Sequence, residues 1–241
     1  YKLIIMNKQK EKSIFITGSR KGIGKYLVEY YSDKGFKVFG CSREPINYSL
    51  PNYSHYICDI TKEKQVKEML RDIKKTNGYI DILINNAGVN LTLQSTMLVS
   101  YQNALKTIEI NLLGTFLMCR EVTKLMMKNS FGRIINFSSM AVKHEVEGEA
   151  IYTASKAAII SFTRVFAKEV YPFGITCNVV SPSAIETDLM NEIEEDALNN
   201  VLSRNAVKTK GKMGDISNTV DWLIKPESDA ITGQIIYLGG V

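Results

Sequence analysis

Short runs of apolar and β-branched residues alternate along the chain with longer segments in which apolar residues recur at helical spacing. Each apolar run is nearly uninterrupted, as is typical of parallel strands covered on both faces. The runs predict strands at Ser13–Thr17, Lys37–Cys41, His55–Cys58, Ile80–Asn85, Arg133–Ser138, Ile175–Val180 and Gln234–Leu238. The periodic segments predict helices at Gly22–Ser32, Lys62–Thr76, Tyr101–Lys128, Ile151–Val170 and Asp215–Ile224.

This alternation predicts an α/β fold, a single-domain Rossmann-type doubly wound sheet of about seven parallel strands with helices on both faces. We find no internal repeat or linker, so residues 13–241 are expected to form one domain after an N-terminal extension at 1–12. The segment 184–213 interrupts the rhythm and would emerge beyond the carboxyl ends of the strands, where ligands bind. We expect it to cover the substrate as a lid; an ordinary surface excursion is the alternative.

Composition narrows the functional classes. The net charge of +5 comes from scattered basic residues, so no nucleic-acid partner is expected. The apolar runs are far shorter than the ~20 residues of a membrane span, and the first residues lack the pattern of a signal peptide. The four cysteines show no C-x-x-C spacing and His55 and His144 have no evident ligand partners, so we predict buried thiols, no metal and a cytoplasmic location.

A glycine-rich turn follows the first predicted strand and leads directly into a helix. Glycines allow a tight turn and bring backbone N–H groups close to a pyrophosphate, where the helix dipole adds a favourable field. The spacing is G-x-x-x-G-x-G rather than the more widespread G-x-G-x-x-G. The turn predicts a dinucleotide site formed by Gly18, Ser19, Arg20, Lys21, Gly22, Ile23 and Gly24.

The end of the second strand indicates which dinucleotide binds. An NAD site usually places a carboxylate there for the ribose 2′-hydroxyl, whereas this chain has Ser42 and Arg43. Together with Arg20 and Lys21, Arg43 would surround a 2′-phosphate, which favours NADP(H) as cofactor. Asp59 is a candidate acceptor for the adenine amine, or alternatively a residue that helps to start the next helix.

A tyrosine and a lysine four positions apart open the fourth predicted helix. At about 3.6 residues per turn, Tyr152 and Lys156 share one face, and a nearby ammonium lowers the pKa of a phenol. Ser139, just past the fifth predicted strand, would polarise a carbonyl while Tyr152 protonates its oxygen. Asn111, within a predicted helix, is a candidate ligand for a water that links Lys156 to solvent.

Taken together, these motifs resemble the short-chain dehydrogenase/reductase family from Ser13 onward. The matching segments are T-G-S-R-K-G-I-G at Thr17–Gly24, C-D-I-T at Cys58–Thr61, N-N-A-G at Asn85–Gly88, Asn111, Ser139 with Tyr152 and Lys156, S-P-S-A-I-E-T-D at Ser181–Asp188, and I-T-G-Q at Ile231–Gln234. Within the family, the chain is most similar to 3-oxoacyl-[acyl-carrier-protein] reductases.

The resemblance implies roles for individual residues. Tyr152 would be the acid-base, Lys156 would lower its pKa and hold the ribose, Ser139 would position the carbonyl and Asn111 would complete a proton relay. Asn85 would stabilise the central strand. Further cofactor contacts are implied for Ile60, Asn86, Ala87, Gly88, Pro182, Ile185 and Thr187. The resemblance also implies a homodimer or homotetramer joined through the helices at Tyr101–Lys128 and Ile151–Val170; their apolar stripes are alternatively intramolecular core.

The chain departs from the family pattern where substrates are selected. Ser183 follows Pro182 where glycine is common, and Ser130 and Phe173 occupy positions that often hold carrier-protein-binding arginines. The loop 143–149 is charged, so it either favours a polar ketone or sugar-like substrate or is simply solvated. The sequence therefore predicts an NADPH-dependent reductase of a small-molecule carbonyl, free or carrier-bound. A non-catalytic NADP-binding sensor is the alternative from another class.

Overall fold

The computed structural model describes residues 12–185 and 202–240. Its strands are β1 (Ser13–Thr17), β2 (Lys37–Ser42), β3 (Tyr53–Ile57), β4 (Ile82–Asn85), β5 (Gly132–Phe137), β6 (Ile175–Ser181) and β7 (Ile235–Tyr237). The α-helices in these ranges are α1 (Gly22–Asp33), α2 (Glu63–Thr76), α3 (Tyr101–Ile108), α4 (Thr115–Met126), α5 (Ala141–His144), α6 (Ala150–Val170) and α7 (Met213–Leu223).

These strands form one parallel sheet in the order β3-β2-β1-β4-β5-β6-β7. The chain order reverses at β1, which pairs with β2 on one side and β4 on the other. Such a reversal opens a crevice at the carboxyl ends of the strands, where α/β proteins bind ligands. The predicted fold class is therefore confirmed, and the crevice lies where the glycine turn follows β1.

Apolar side chains are buried on both faces of the sheet. Ile14 and Ile16 pack with α1 and α7 residues on one face, while Phe15 packs with α2 and α4 residues on the other. This two-sided burial explains the continuous apolar runs in the central strands. The four cysteines are buried and free, as predicted. No helix within 12–185 or 202–240 is long and apolar enough to cross a membrane.

The structure differs from the prediction in a divided helix, an added helix and shifted element ends, including β4, which begins at Ile82 rather than Ile80. A π-helical turn at Glu109–Gly114 divides the predicted helix Tyr101–Lys128 into α3 and α4. The short helix α5 lies in the charged loop, where periodicity gave no signal. The edge strand β3 begins at Tyr53 rather than His55. The prediction missed its first two residues because Ser54, which is polar and exposed, interrupts the apolar run.

Candidate active site

The glycine turn between β1 and α1 needs its glycines for two different reasons. Gly18 and Gly22 have φ values of +70° and +57°, in the left-handed region that favours glycine. A Cβ on Gly24 would lie 2.2 Å from the Gly18 carbonyl oxygen, so Gly24 permits close packing inside the turn. The resulting backbone cradle at the N-terminus of α1 fits a pyrophosphate.

Side chains that follow β4 fix the opposite wall of this cradle. Asn86 Nδ2 donates to the Thr17 and Gly18 carbonyl oxygens at 3.0 and 3.3 Å. The Ala87 amide donates to Thr17 Oγ1 at 3.0 Å. One residue earlier, Asn85 Nδ2 donates to Asn136 Oδ1 at 2.8 Å and so joins β4 to β5. The structure thus brings the N-N-A-G segment against the glycine turn.

Ser19 points inward from the turn. Its hydroxyl is buried beside Tyr53 and His55, and its amide donates to the Cys41 carbonyl oxygen at 3.1 Å. Its own carbonyl oxygen accepts from Tyr48 Oη at 2.6 Å. Ser19 therefore forms the floor of the turn, and its direct contact with a cofactor stays a prediction.

The predicted phosphate corner lies at the end of β2. Ser42 is half-buried, and Arg20, Lys21 and Arg43 are exposed around it. The Arg20 guanidinium forms an ion pair with Glu44 at 3.1 Å. The corner thus carries the predicted positive charge, together with the carboxylate of Glu44, which was not part of the prediction.

Asp59 is engaged within its own loop. Its Oδ1 accepts from the Thr61 amide at 2.9 Å and from Thr61 Oγ1 at 2.8 Å. This turn precedes α2, in agreement with the alternative that Asp59 helps to start the next helix. The helix itself begins two residues after Thr61. Ile60 is buried against Gly114 of the π turn.

At the carboxyl end of β5, the catalytic candidates converge. Lys156 is buried, and its ammonium donates to the Phe137 carbonyl oxygen at 3.0 Å. The ammonium nitrogen lies 5.8 Å from the centre of the Tyr152 ring. Gly88 leaves room for it, since a Cβ there would lie 3.1 Å from Lys156 Nζ. Burial lowers the Lys156 pKa to about 8.

The side chains of Tyr152 and Ser139 are neighbours at the carboxyl end of β5, close enough for Ser139 to affect the Tyr152 pKa. Burial raises the pKa of Tyr152 to about 12; the polar contact with Ser139 acts to lower that pKa, and the negative charge of Glu149 acts to raise it. The expected lowering by Lys156 is wrong for this structure, because burial outweighs the favourable groups and the ammonium bonds to Phe137 instead. A phenol with a raised pKa stays protonated and suits the role of acid.

Asn111 lies in the π turn and fixes the segment after β4. Its Oδ1 accepts from the Val89 amide at 2.8 Å, and its Nδ2 donates to the Val89 carbonyl oxygen at 2.9 Å. The same Nδ2 donates to Ser155 Oγ at 2.9 Å, within α6. The side chain therefore ties three elements together. Its predicted role as a water ligand stays a prediction.

The predicted nicotinamide end follows β6. The Met140 amide donates to the Pro182 carbonyl oxygen at 3.0 Å, which joins this end to the loop that carries Ser139. Ile185 is buried, whereas Thr187 lies outside the described residues, as does most of the predicted lid at 184–213.

Ser183, where the family commonly has glycine, belongs to a buried polar network. Asn205 Nδ2 donates to Ser183 Oγ at 2.7 Å, and Asn205 Oδ1 lies 2.8 Å from His144 Nε2. Asn205 is 1% exposed. The departure from glycine thus supplies a hydroxyl that connects the predicted nicotinamide loop to α5.

A sequence model of the short chain dehydrogenase family matches residues 12–198. The chain belongs to the short chain dehydrogenase family. Membership confirms the resemblance, and it identifies the chain as an oxidoreductase of a family that uses a nicotinamide cofactor.

Known family members are similar over nearly their whole length. The 3-oxoacyl-[acyl-carrier-protein] reductase FabG of Vibrio cholerae is 31% identical over 235 residues, which cover 95% of this chain and 96% of that protein. The structure of ElxO with NADP bound has a TM-score of 0.87 and 29% identity, covering 95% of this chain and 97% of that chain. Thermoplasma acidophilum aldohexose dehydrogenase has a TM-score of 0.85 and 27% identity, covering 95% and 93%.

Sequence reasoning missed four residues of this short chain dehydrogenase site: Glu44, His55, Glu149 and Asn205. Glu44 follows Arg43 directly, so a carboxylate near the corner was visible. Glu149 lies three positions before Tyr152, where one helical turn brings it close. The contacts of His55 and Asn205 join distant segments, and no local pattern indicates them.

Proposed function

We propose that this chain is an NADPH-dependent carbonyl reductase. The observation that carries the proposal is that the Ser139 and Tyr152 side chains interact beside buried Lys156 at the end of β5. These groups lie at the same edge of the sheet as the glycine cradle, where a dinucleotide would place its nicotinamide. The cradle fits the cofactor because Gly18 and Gly24 leave its backbone free of Cβ atoms.

The residues divide the reaction between them. When bound, NADPH supplies the hydride that the carbonyl carbon receives. Ser139 Oγ donates to the carbonyl oxygen and orients it toward Tyr152. Tyr152 Oη gives its proton to that oxygen, so the product is an alcohol and the tyrosine becomes a phenolate. Lys156 holds the ribose, and its ammonium nitrogen lies 5.8 Å from the centre of the Tyr152 ring.

The charges at the end of β2 support NADPH over NADH. Arg43 and Lys21 are exposed there, and the Ser42 position offers a hydroxyl instead of the carboxylate expected of an NAD site. Arg20 can join them once a 2′-phosphate competes with Glu44 for its guanidinium. ElxO, similar over 95% of this chain, binds NADP.

We propose a 3-oxoacyl thioester, delivered by an acyl carrier protein, as the first candidate substrate. Similarity to the FabG reductases supports it. Ser130 and Phe173 weaken the carrier-protein part, because neither offers a positive charge to an acidic partner.

A polar ketone or sugar-like substrate is the second candidate. Glu149 is half-buried and close enough to Tyr152 to raise its pKa, and its Oε1 accepts from Asn90 Nδ2 at 2.9 Å. A carboxylate beside the reacting oxygen suits hydroxyl groups better than an acyl chain. Similarity to the Thermoplasma acidophilum aldohexose dehydrogenase also supports a sugar-like substrate.

A turnover assay with NADPH tests both candidates. It should compare a short 3-oxoacyl thioester with a panel of polar ketones and sugars, with and without purified acyl carrier protein. Reduction of either class supports the proposal. NADPH binding without turnover of any carbonyl would instead favour a non-catalytic sensor, although sensing does not require a phenol, a serine and an ammonium at one point.

We also propose that the chain forms a homodimer or homotetramer through α4 and α6. Phe116 and Val165 on these helices are 39% and 56% exposed, and Leu113 in the π turn is 50% exposed. Phe116 packs edge-on against Phe162, so the apolar surface is continuous across both helices. Sedimentation of the wild type and of a Val165→Glu variant would test this surface; a monomeric wild type would contradict it.

A further inference from the structure

His55 lies beneath the predicted phosphate corner, and the proposed mechanism does not use it. It pairs across the sheet with Gly40, where a Cβ would lie 2.7 Å from both Ser19 Oγ and Tyr53 Oη. The missing side chain therefore leaves a pocket over β2 that the imidazole, Ser19 and Tyr53 share. His55 is half-buried in this pocket.

The imidazole bridges the two loops that form the corner. Its Nδ1 lies 2.9 Å from Tyr53 Oη and 3.3 Å from Ser19 Oγ, at the floor of the glycine turn. Its Nε2 lies 3.1 Å from Ser42 Oγ and 3.3 Å from the Glu44 carbonyl oxygen, at the end of β2. Both ring nitrogens are thus engaged, each with a different loop.

The partners determine which nitrogen carries the proton. A carbonyl oxygen only accepts, so Nε2 must donate toward Glu44, and the proton of the neutral ring lies there. Nδ1 then accepts from Tyr53 or Ser19. Both of these are hydroxyls, which can also accept, so a proton added to Nδ1 finds a partner once the donating hydroxyl turns its own proton to Ser19 Oγ or to the Cys41 carbonyl oxygen. The pocket accommodates the neutral ring and the cation equally well in geometry.

Charged and titratable groups lie on the elements that contact this ring or its partners. They are Tyr53 on β3, Cys41 on β2, Tyr48, Arg43 and Glu44 between β2 and β3, Arg20 and Lys21 in the glycine turn, and Lys25 and Glu29 on α1. Compared with these groups, His55 alone has an ordinary pKa close to neutrality. Burial lowers the pKa of His55, and its bond to Glu44 opposes that effect.

We infer that His55 is a specificity-determining residue for the cofactor: it holds the Ser42 hydroxyl in place and takes up a proton when a 2′-phosphate occupies the corner. The added positive charge compensates the phosphate from below, while Arg43 acts from the exposed side. NADH, which has no phosphate there, does not induce the uptake. This inference rests on the proposed preference for NADPH.

Proton NMR of the wild-type protein tests it without a substrate. The chain has two histidines, so its imidazole resonances can be assigned with one His144→Gln variant. Titration between about pH 5.5 and about pH 8 should show a His55 pKa raised by about one unit with saturating NADPH, but not with NADH.

Binding measurements on a variant give a second readout. His55→Gln keeps a hydrogen-bonding side chain but cannot become charged. We expect its affinity for NADPH to match that of the wild type within about threefold at about pH 8 and to be weaker by about tenfold at about pH 5.5. Titration of the 2′-phosphate itself is common to both proteins and cancels in this comparison.

The outcomes separate the two proposals. If NADPH does not bind more tightly than NADH, the proposed cofactor preference fails. If NADPH is preferred but the pKa of His55 is the same with either cofactor, the inference about His55 alone is overturned. Equal weakening of NADPH and NADH by His55→Gln would also overturn it, since that result indicates a structural role. Should His55→Gln fail to fold, the wild-type titration still decides.

Discussion

Lys156 and Arg20 both present a positive charge to the proposed cofactor groove, but the protein holds them in different ways. Lys156 is 5% exposed and bonds to a backbone carbonyl. Arg20, at the other end, has a 43% exposed side chain and pairs with a Glu44 side chain that is 65% exposed. The buried end is rigid and largely indifferent to salt, whereas the exposed corner is screened and can change partners.

The largest effect on activity is expected from a substitution of Tyr152, at the buried end of the groove. Tyr152→Phe removes the proton donor and should reduce turnover by about 10²- to 10⁴-fold, while NADPH binding is retained. Steady-state kinetics and cofactor fluorescence measure the two quantities. Tyr101→Phe, at a 76% exposed position, is the matched control and should leave turnover unchanged. Normal turnover of Tyr152→Phe would refute the role of the phenol.

The second-largest effect is expected from a substitution in the glycine turn, which lies between the two ends of the groove. Gly24→Ala places a Cβ 2.2 Å from the Gly18 carbonyl oxygen, so we expect a loss of about 3 kcal/mol of stability and weaker binding of either dinucleotide. Chemical denaturation measures the loss. Gly214→Ala is the control, since a Cβ there would meet no other described part of the protein within 4 Å, and a helical alanine there should be neutral or slightly stabilising. Equal effects of both variants would contradict the close packing.

The buried ammonium predicts a pH dependence of stability. The Lys156 pKa is lowered from 10.5 to about 8, so the folded state binds fewer protons between these values than the unfolded state. The free energy of unfolding therefore gains up to roughly 3 kcal/mol from this group as pH rises through that window. In Lys156→Met this gain disappears. Parallel stability curves for the two proteins would show that Lys156 is not buried as a cation.

The smallest effects should come from the exposed corner. Arg43→Ala should lower the preference for NADPH over NADH by about tenfold. Glu44→Gln should raise NADPH affinity by about threefold, because it releases Arg20 from its ion pair. Dissociation constants at low and high salt measure both, and both effects should shrink at high salt. An unchanged preference in Arg43→Ala would refute the assignment of the corner.

The same contrast separates what the sequence could predict from what it could not. The shared position of Tyr152 and Lys156 was predictable because helical spacing places them on one face. The strands β1 and β6 were predictable because buried parallel strands are continuously apolar. The raised pKa of Tyr152 was not predictable, since it depends on burial by distant segments. The π turn was also missed: Asn111 is held there by contacts with Val89 and Ser155, which no local pattern shows.

The corner was predictable in its charges but not in its pairing. Arg43 and Arg20 follow from the strand end and the glycine turn, whereas the Arg20–Glu44 pair depends on how two loops approach one another. His55 was interpreted only as a potential metal ligand without partners. Its actual partners come from three segments that are separated along the chain.

Ser183 and Asn205 have a consequence for how this protein can diversify. They join residues on either side of 186–201. The Gly211 amide joins the same two flanks by donating to the Ala184 carbonyl oxygen at 2.9 Å. A segment whose flanks are held together independently of its own residues can gain length at little entropic cost, about 0.6 kcal/mol for each doubling. Substituting or lengthening residues 186–201 should therefore leave the sheet and the catalytic groups in place, so that new substrates become accessible on an unchanged scaffold.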